Sequence, residues 1–236
     1  MSSEASAVVR PAHEDAHAHH GPKWLAHHFD TPSQQYDAAK LGMWAFLAQE
    51  ILFFAGLFVA YGVYRSWYPE MFKAASHQLD KIMGGTNTVV LLFSSFTAAM
   101  AVQSAQRGKQ KATGNYLLLT IACAVGFLVI KFFEYKHKFE GGLLPGRFFH
   151  PHLEHLVPGG LPMPHNTGSF FSLYFIMTGI HGLHVVIGIG IMIWIWLRNN
   201  RGDFSKEYFT AVDLAALYWH LVDLVWIYLF PLMYLV

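Results

Sequence analysis

Glu50, His181, His184, Asp213, His220 and Asp223 stand inside stretches of sequence that are otherwise apolar. Each is costly to desolvate there, so each is a candidate either for chemistry or for a specific polar contact. His181 and His184 are three residues apart and share a helix face; Asp213, His220 and Asp223 follow at spacings of seven and three and form one stripe. Glu50 lies nine residues past Leu41, about 13 Å along a helix that rises ~1.5 Å per residue. If successive spans alternate in direction, Glu50, His181, His184 and His220 all come to middle depth.

Three chemistries fit such a set. Histidines at helix centres can ligate haem, and a bis-His site needs ligands from facing helices, so His220 with His181 or His184 is the one available kind of pair. A buried glutamate with His and Asp partners can form the proton relay of a transporter. No inverted repeat is visible and no span is broken by proline at mid-membrane, which speaks against that reading. In the third, the polar groups bond one another and fix helix packing inside a larger assembly, since structural networks mimic functional ones. The spacings alone leave all three open.

The elements that must position these residues are membrane helices. Of 236 residues, 54% are hydrophobic and 13% charged, where a soluble domain carries ~25% charge. Mean hydropathy is +0.31. Five stretches match the ~20 apolar residues needed to cross about 30 Å of hydrocarbon. They are 41–64, 86–105, 116–133 (with Lys131 near its end), 169–197 and 209–236. Backbone groups in lipid need internal partners, so the expected fold is all-α, a polytopic bundle of five transmembrane helices. The alternating signature of a membrane β-barrel is absent. Ser94, Ala98, Ala101 and Ala105 form a small-residue face on the second span, and Gly179, Gly182, Gly188 and Gly190 read similarly on the fourth.

Residues 1–40 form a polar, His-rich tail without a charged-then-apolar leader pattern, so membrane entry is expected to rely on the first span. Its histidines (His13, His17, His19, His20, His27 and His28) can bind metal adventitiously, but the composition reads first as a flexible tail. Residues 65–85 can hold a short interfacial helix. Residues 136–168 mix Gly, Pro and His and read as an irregular loop. Arg107, Lys109 and Lys111 crowd one short connection; Arg198, Arg201 and Lys206 crowd another. By the positive-inside rule the N-terminus is cytoplasmic and the C-terminus outside. A net charge of +1 makes no electrostatic case for nucleic acid. Cys123 is the single cysteine, so an intrachain disulfide and thiolate metal sites are out.

Several motifs resemble a known family. Leu41-Gly42-Met43-Trp44 followed by Gln49-Glu50-Ile51-Leu52-Phe53-Phe54-Ala55-Gly56 is similar to the first conserved helix of cytochrome c oxidase subunit III in its five-helix bacterial form. Asn87-Thr88 with Ser94-Ser95 resembles the family's second helix, and Lys131 followed by Glu134-Tyr135 the end of its third. The strongest matches are Thr178-Gly179-Ile180-His181-Gly182-Leu183-His184-Val185 and Tyr218-Trp219-His220-Leu221-Val222-Asp223-Leu224-Val225-Trp226. Together they cover residues 41–236 in order, leaving the tail and the 136–168 loop outside.

The resemblance implies an accessory subunit without haem or copper, those groups residing in partner subunits I and II. It implies membership of an inner-membrane respiratory enzyme that reduces O₂ to water and pumps protons, support of proton uptake, and bound phospholipid. Quinol oxidases and nitric oxide reductase-associated homologues carry related subunits. On this resemblance Glu50 is the family's buried membrane acid and Glu134 its second acid. His181, His184, His220 and Asp223 are an intramembrane polar network, and Arg198 or Arg201 a contact for lipid head groups. The first two helices are expected to stand apart from the last three across a lipid-filled cleft. Glu50 is expected as a neutral acid hydrogen-bonded to a fourth-span histidine or a threonine.

Overall fold

The computed structural model describes residues 24–144 and 167–235. His13, His17, His19 and His20 of the tail lie outside the described residues, as do Arg10, Lys23 and residues 145–166 of the Pro/Gly loop. Six helices follow in chain order: α1 Pro32–Trp67, α2 Pro69–Ser76, α3 Lys81–Gln106, α4 Gln110–Glu140, α5 Thr167–Arg201 and α6 Thr210–Tyr234. Among the described residues there is no strand, and five of the six helices are long and apolar enough to cross a membrane. The all-α, five-span architecture is the one expected. The short helix α2 falls in the 65–85 connector.

The helices overrun the apolar stretches that announce them. α1 begins at Pro32, well before Leu41, because Thr31 caps it: its Oγ1 accepts from the Gln34 amide at 3.2 Å, and Pro32 opens the first turn. With 36 residues it is about 54 Å long, ~24 Å more than the hydrocarbon thickness, so its ends project into the interfaces. Asp80 starts α3 in the same way, its carboxylate accepting from Ile82 and Met83 amides at 2.8 and 3.0 Å. α4 continues past Lys131 to Glu140 because Lys131 and Glu134 are buried against partners and do not face lipid.

α3 packs against α4 and α6, and α5 closes the ring by packing on α4 and α6. α1 leans chiefly on α6, while α2 ties its far end to α5. The expected partition, two helices against three, is therefore not what forms. α3 belongs to the four-helix group because its small face is buried: Ser94, Ala98 and Ala101 are each at most 1% exposed, and small side chains let backbones approach. α1 buries only Leu47, Glu50, Phe54 and Tyr61 and stands alone at the side. Between α1 and the α5–α6 face runs an apolar groove of ≈ 640 Å³. A smaller one of ≈ 300 Å³ lies between α1 and α6, lined by Ile51, Phe54, Leu221 and Tyr228 among others.

The four glycines of α5 also separate. A Cβ on Gly188 would stand 2.7 Å from the Trp219 ring, so this position needs glycine for close packing of α5 on α6. Gly182 and Gly190 have open space around them, and Gly179 meets only an ordinary contact at 3.9 Å.

Candidate functional site

Glu50 of α1 and His184 of α5 meet at the floor of the larger groove, Oε2 to Nε2 3.0 Å. Helix periodicity puts them there: Leu47, Glu50, Phe54 and Tyr61 form the inward stripe of α1, and His184 lies one residue from the buried Val185 of α5. The other ring nitrogen of His184 contacts the Ile180 carbonyl at 2.9 Å. A carbonyl can only accept, so Nδ1 carries a proton and donates it. Nε2 then either accepts from a protonated Glu50 or, as imidazolium, donates to its carboxylate. The pair shares one proton in both cases and is neutral as a unit. Phe54 packs on the imidazole with ring centroids 5.2 Å apart, and the Tyr218 hydroxyl donates to the His184 carbonyl at 3.0 Å. The remaining lining, including Met43, Phe46, Ile191 and Trp194, is apolar.

A second centre joins α4, α5 and α6 near the Glu140 end of the bundle. Lys131 Nζ donates to Glu134 Oε2 at 2.9 Å and to the Tyr234 hydroxyl at 2.6 Å. Glu134 Oε1 accepts from Tyr174 at 2.8 Å and from Tyr234 at 2.5 Å. The ammonium also sits 4.6 Å from the Trp226 ring centre, a position where the ring's negative face attracts a cation. Lys131 and Glu134 match one another, and the buried Lys138 ammonium nearby donates to the Gln78 carbonyl. The sequence shows Lys131 near the end of a span and Glu134 at i,i+3 from it, but carries no signal that Tyr174 and Tyr234 join them.

The other intramembrane groups lie on α5 and α6, with Ser95 of α3 beside both His220 and Asp223. His220 Nδ1 pairs with Ser95 Oγ at 2.6 Å. His181 is fully buried between Phe127 and Trp226, with ring centroids 5.6 and 5.3 Å away. Among the described residues neither nitrogen of His181 and neither carboxyl oxygen of Asp223 has a hydrogen-bond partner of good geometry, though Ser94 and Ser95 lie close to Asp223. Asp213 leaves the stripe entirely, since it holds the start of α6 to α1 through Tyr36 Oη at 2.7 Å and Lys40 Nζ at 3.2 Å. His184 has contacts on both ring nitrogens among the described residues, and the His181 ring packs against Phe127 and Trp226. Among the described residues no three His, Cys, Asp or Glu side chains converge as a metal site.

Arg198 stands where α5 leaves the bundle. Its Nε donates to Asp203 Oδ2 at 2.9 Å, and its guanidinium lies 5.0 Å from the ring centre of Trp194, a residue of the groove lining. Arg201 is exposed in the last turn of the same helix.

Comparison with known proteins places this arrangement. A family model described as cytochrome c oxidase subunit III matches residues 162–236, which contain both histidine motifs. Cytochrome c oxidase subunit 3 of Synechocystis sp. is 29% identical over 236 residues, all of this chain and 85% of the relative. That of Corynebacterium diphtheriae is 32% identical over 203 residues, 83% of this chain and 87% of the relative. Quinol oxidase subunit 3 of Bacillus spizizenii is 28% identical over 224 residues, 93% and 96% of the two chains. With 32% identity over most of both chains, and with five membrane-length helices among the described residues, the protein belongs to the cytochrome c oxidase subunit III family.

Proposed function

We propose that this chain is an accessory, cofactor-free subunit of a proton-pumping aerobic terminal oxidase, a cytochrome c oxidase of the bacterial inner membrane. In this reading haem and copper chemistry belongs to subunits I and II, against which the chain packs, and the chain itself catalyses nothing. Its contribution is support of proton uptake and of the stability of subunit I. The observation that carries the reading is the Glu50–His184 contact of 3.0 Å within the first and fourth spans, in a groove whose other lining is largely apolar. In this reading the N-terminus is cytoplasmic and the C-terminus outside, which the basic residues of two short connections (Arg107, Lys109 and Lys111; Arg198, Arg201 and Lys206) support. The groove then opens to lipid, and a phospholipid acyl chain fills it with its phosphate near Arg198 or Arg201.

Deletion of the chain tests this directly. The oxidase purified without it should keep its haem spectrum and its initial O₂ consumption, and should lose proton-linked turnover during sustained catalysis. Loss of haem incorporation together with initial activity would replace the accessory role by one in assembly or catalysis.

A second reading, subunit III of a quinol oxidase, is favoured by the near full-length match to the Bacillus spizizenii protein. The co-purifying subunit II separates the two. A copper-binding subunit II and oxidation of reduced cytochrome c support the first; a subunit II without copper and oxidation of quinol support the second.

A further inference from the structure

Asn87 on α3, His181 on α5 and Asp223 on α6 are 0%, 0% and 2% exposed. Among the described residues none of their side-chain polar atoms has a hydrogen-bond partner of good geometry. A buried polar atom without a partner forfeits its hydration, and folded proteins leave very few in that state. Here they belong to three different helices and to one neighbourhood. Trp219 Nε1 donates to Ser94 Oγ at 2.9 Å and Trp226 Nε1 to Thr88 Oγ1 at 3.0 Å, which sets the antiparallel register of α3 and α6. Asn87 therefore lies at the level of Trp226, and Asp223 one helical turn (~5.4 Å) or less along α6 from it. His181 packs its ring against the same Trp226.

The polar groups nearby are already committed. Thr88 Oγ1 donates to the Gly84 carbonyl and accepts from Trp226. Ser94 Oγ donates to the Leu91 carbonyl and accepts from Trp219. Ser95 Oγ pairs with His220 Nδ1, and both Ser95 and Ser94 lie close enough to Asp223 to interact with its carboxyl. Lys131 is matched by Glu134 and Tyr234. Among the described residues the three side chains make no hydrogen bond of good geometry, and the groups that come nearest, the Ser94 and Ser95 hydroxyls beside Asp223, each have another partner.

We propose that Asn87, His181 and Asp223 form an internal hydration site, holding a small cluster of ordered water molecules in the core of the α3–α6 bundle. The ligand class follows from the donor–acceptor mixture. Asn87 offers two donors and an acceptor, a neutral imidazole one of each, and the Asp223 carboxyl mainly acceptors. Water, with two of each, fits this set, and buried waters typically make about three such bonds. A metal cation fits poorly: the oxygens are few, an imidazole is among them, and the Lys131 ammonium stands over the neighbouring Trp226 ring. The cluster gives the four-helix core a polar centre that extends from Asp223 towards the Lys131–Glu134 pair.

Two measurements on the full chain, alone in lipid nanodiscs or within its complex, test this. A density map sharp enough to show ordered water should place peaks at hydrogen-bond distance, about 2.7–3.2 Å, from atoms of at least two of the three side chains. Direct bonds among the three or to Ser94 and Ser95, with no peak between, would overturn the proposal, and so would a metal ion at the site. The second is the sign of the stability change in Asn87→Leu. If the site is wet, the leucine strands the waters held by His181 and Asp223, and the melting temperature falls. If the site is dry, the leucine removes an unsatisfied amide and the melting temperature rises, which also sinks the idea. Should the variant not fold, the density map decides.

Discussion

Replacing Lys131 by methionine removes a cation of similar length from a site where its side chain is 9% exposed and that of Glu134 is 2% exposed. Glu134 then keeps two hydroxyl donors on Oε1, Tyr174 at 2.8 Å and Tyr234 at 2.5 Å, while Oε2 loses its charge partner. Breaking a buried pair from one side costs about 3–5 kcal/mol. The surviving hydroxyls place the expected loss for Lys131→Met near the lower end, about 3 kcal/mol, or roughly a hundredfold in the folded-to-unfolded ratio. The double variant Lys131→Met/Glu134→Gln removes both members of the pair, with Asp80 remaining as the acidic neighbour of the buried Lys138, and the amide oxygen at position 134 can still accept from both tyrosines. It should recover most of the loss and lie within about 1 kcal/mol of wild type. Equilibrium unfolding in mixed micelles, followed by tryptophan emission because Trp226 lies 4.6 Å from the Lys131 ammonium, measures all three proteins. If Lys131→Met is as stable as wild type, or the double variant is no better than the single, the matched-charge account of this centre is wrong.

Three further outcomes follow from the geometry. A hydrophobic carbodiimide, which reacts with protonated carboxyls in apolar surroundings, should modify Glu50 in preference to the exposed Glu70 and Glu140; Glu50→Gln should lack a protonated-carboxyl infrared band, and an ionised, unreactive Glu50 would show that the shared proton rests on His184. Gly188→Ala puts a methyl group 2.7 Å from Trp219 and should destabilise by about 1–3 kcal/mol, whereas Gly190→Ala, with open space around it, should be within ~0.5 kcal/mol of wild type. Replacing Arg198 and Arg201 together by alanine should reduce the phospholipid retained through purification; mass spectrometry showing equal retention would remove the groove from the list of lipid sites.

Much of the architecture is written locally. Five spans were legible because the cost of placing a backbone in lipid acts on every run of about 20 residues independently of its neighbours. The family was legible because whole motifs, such as Tyr218 to Trp226, stand in order on those spans. Helix ends were less so, since caps such as Thr31 and Asp80 act outside the apolar stretch that hydropathy reads.

What the tertiary structure alone decided is which polar groups meet. Spacing placed His181 and His184 on one face, yet His184 bonds Glu50, 134 residues away in sequence, while His181 is left among aromatic rings. Ser95 finds His220 and Lys131 finds Tyr234 across separations of 125 and 103 residues. The placing of α3 with α4–α6, against the expected partition, likewise depends on which faces interlock. A helix's period says which residues share a face; only packing says what that face meets, because the energy of a contact belongs to both surfaces at once.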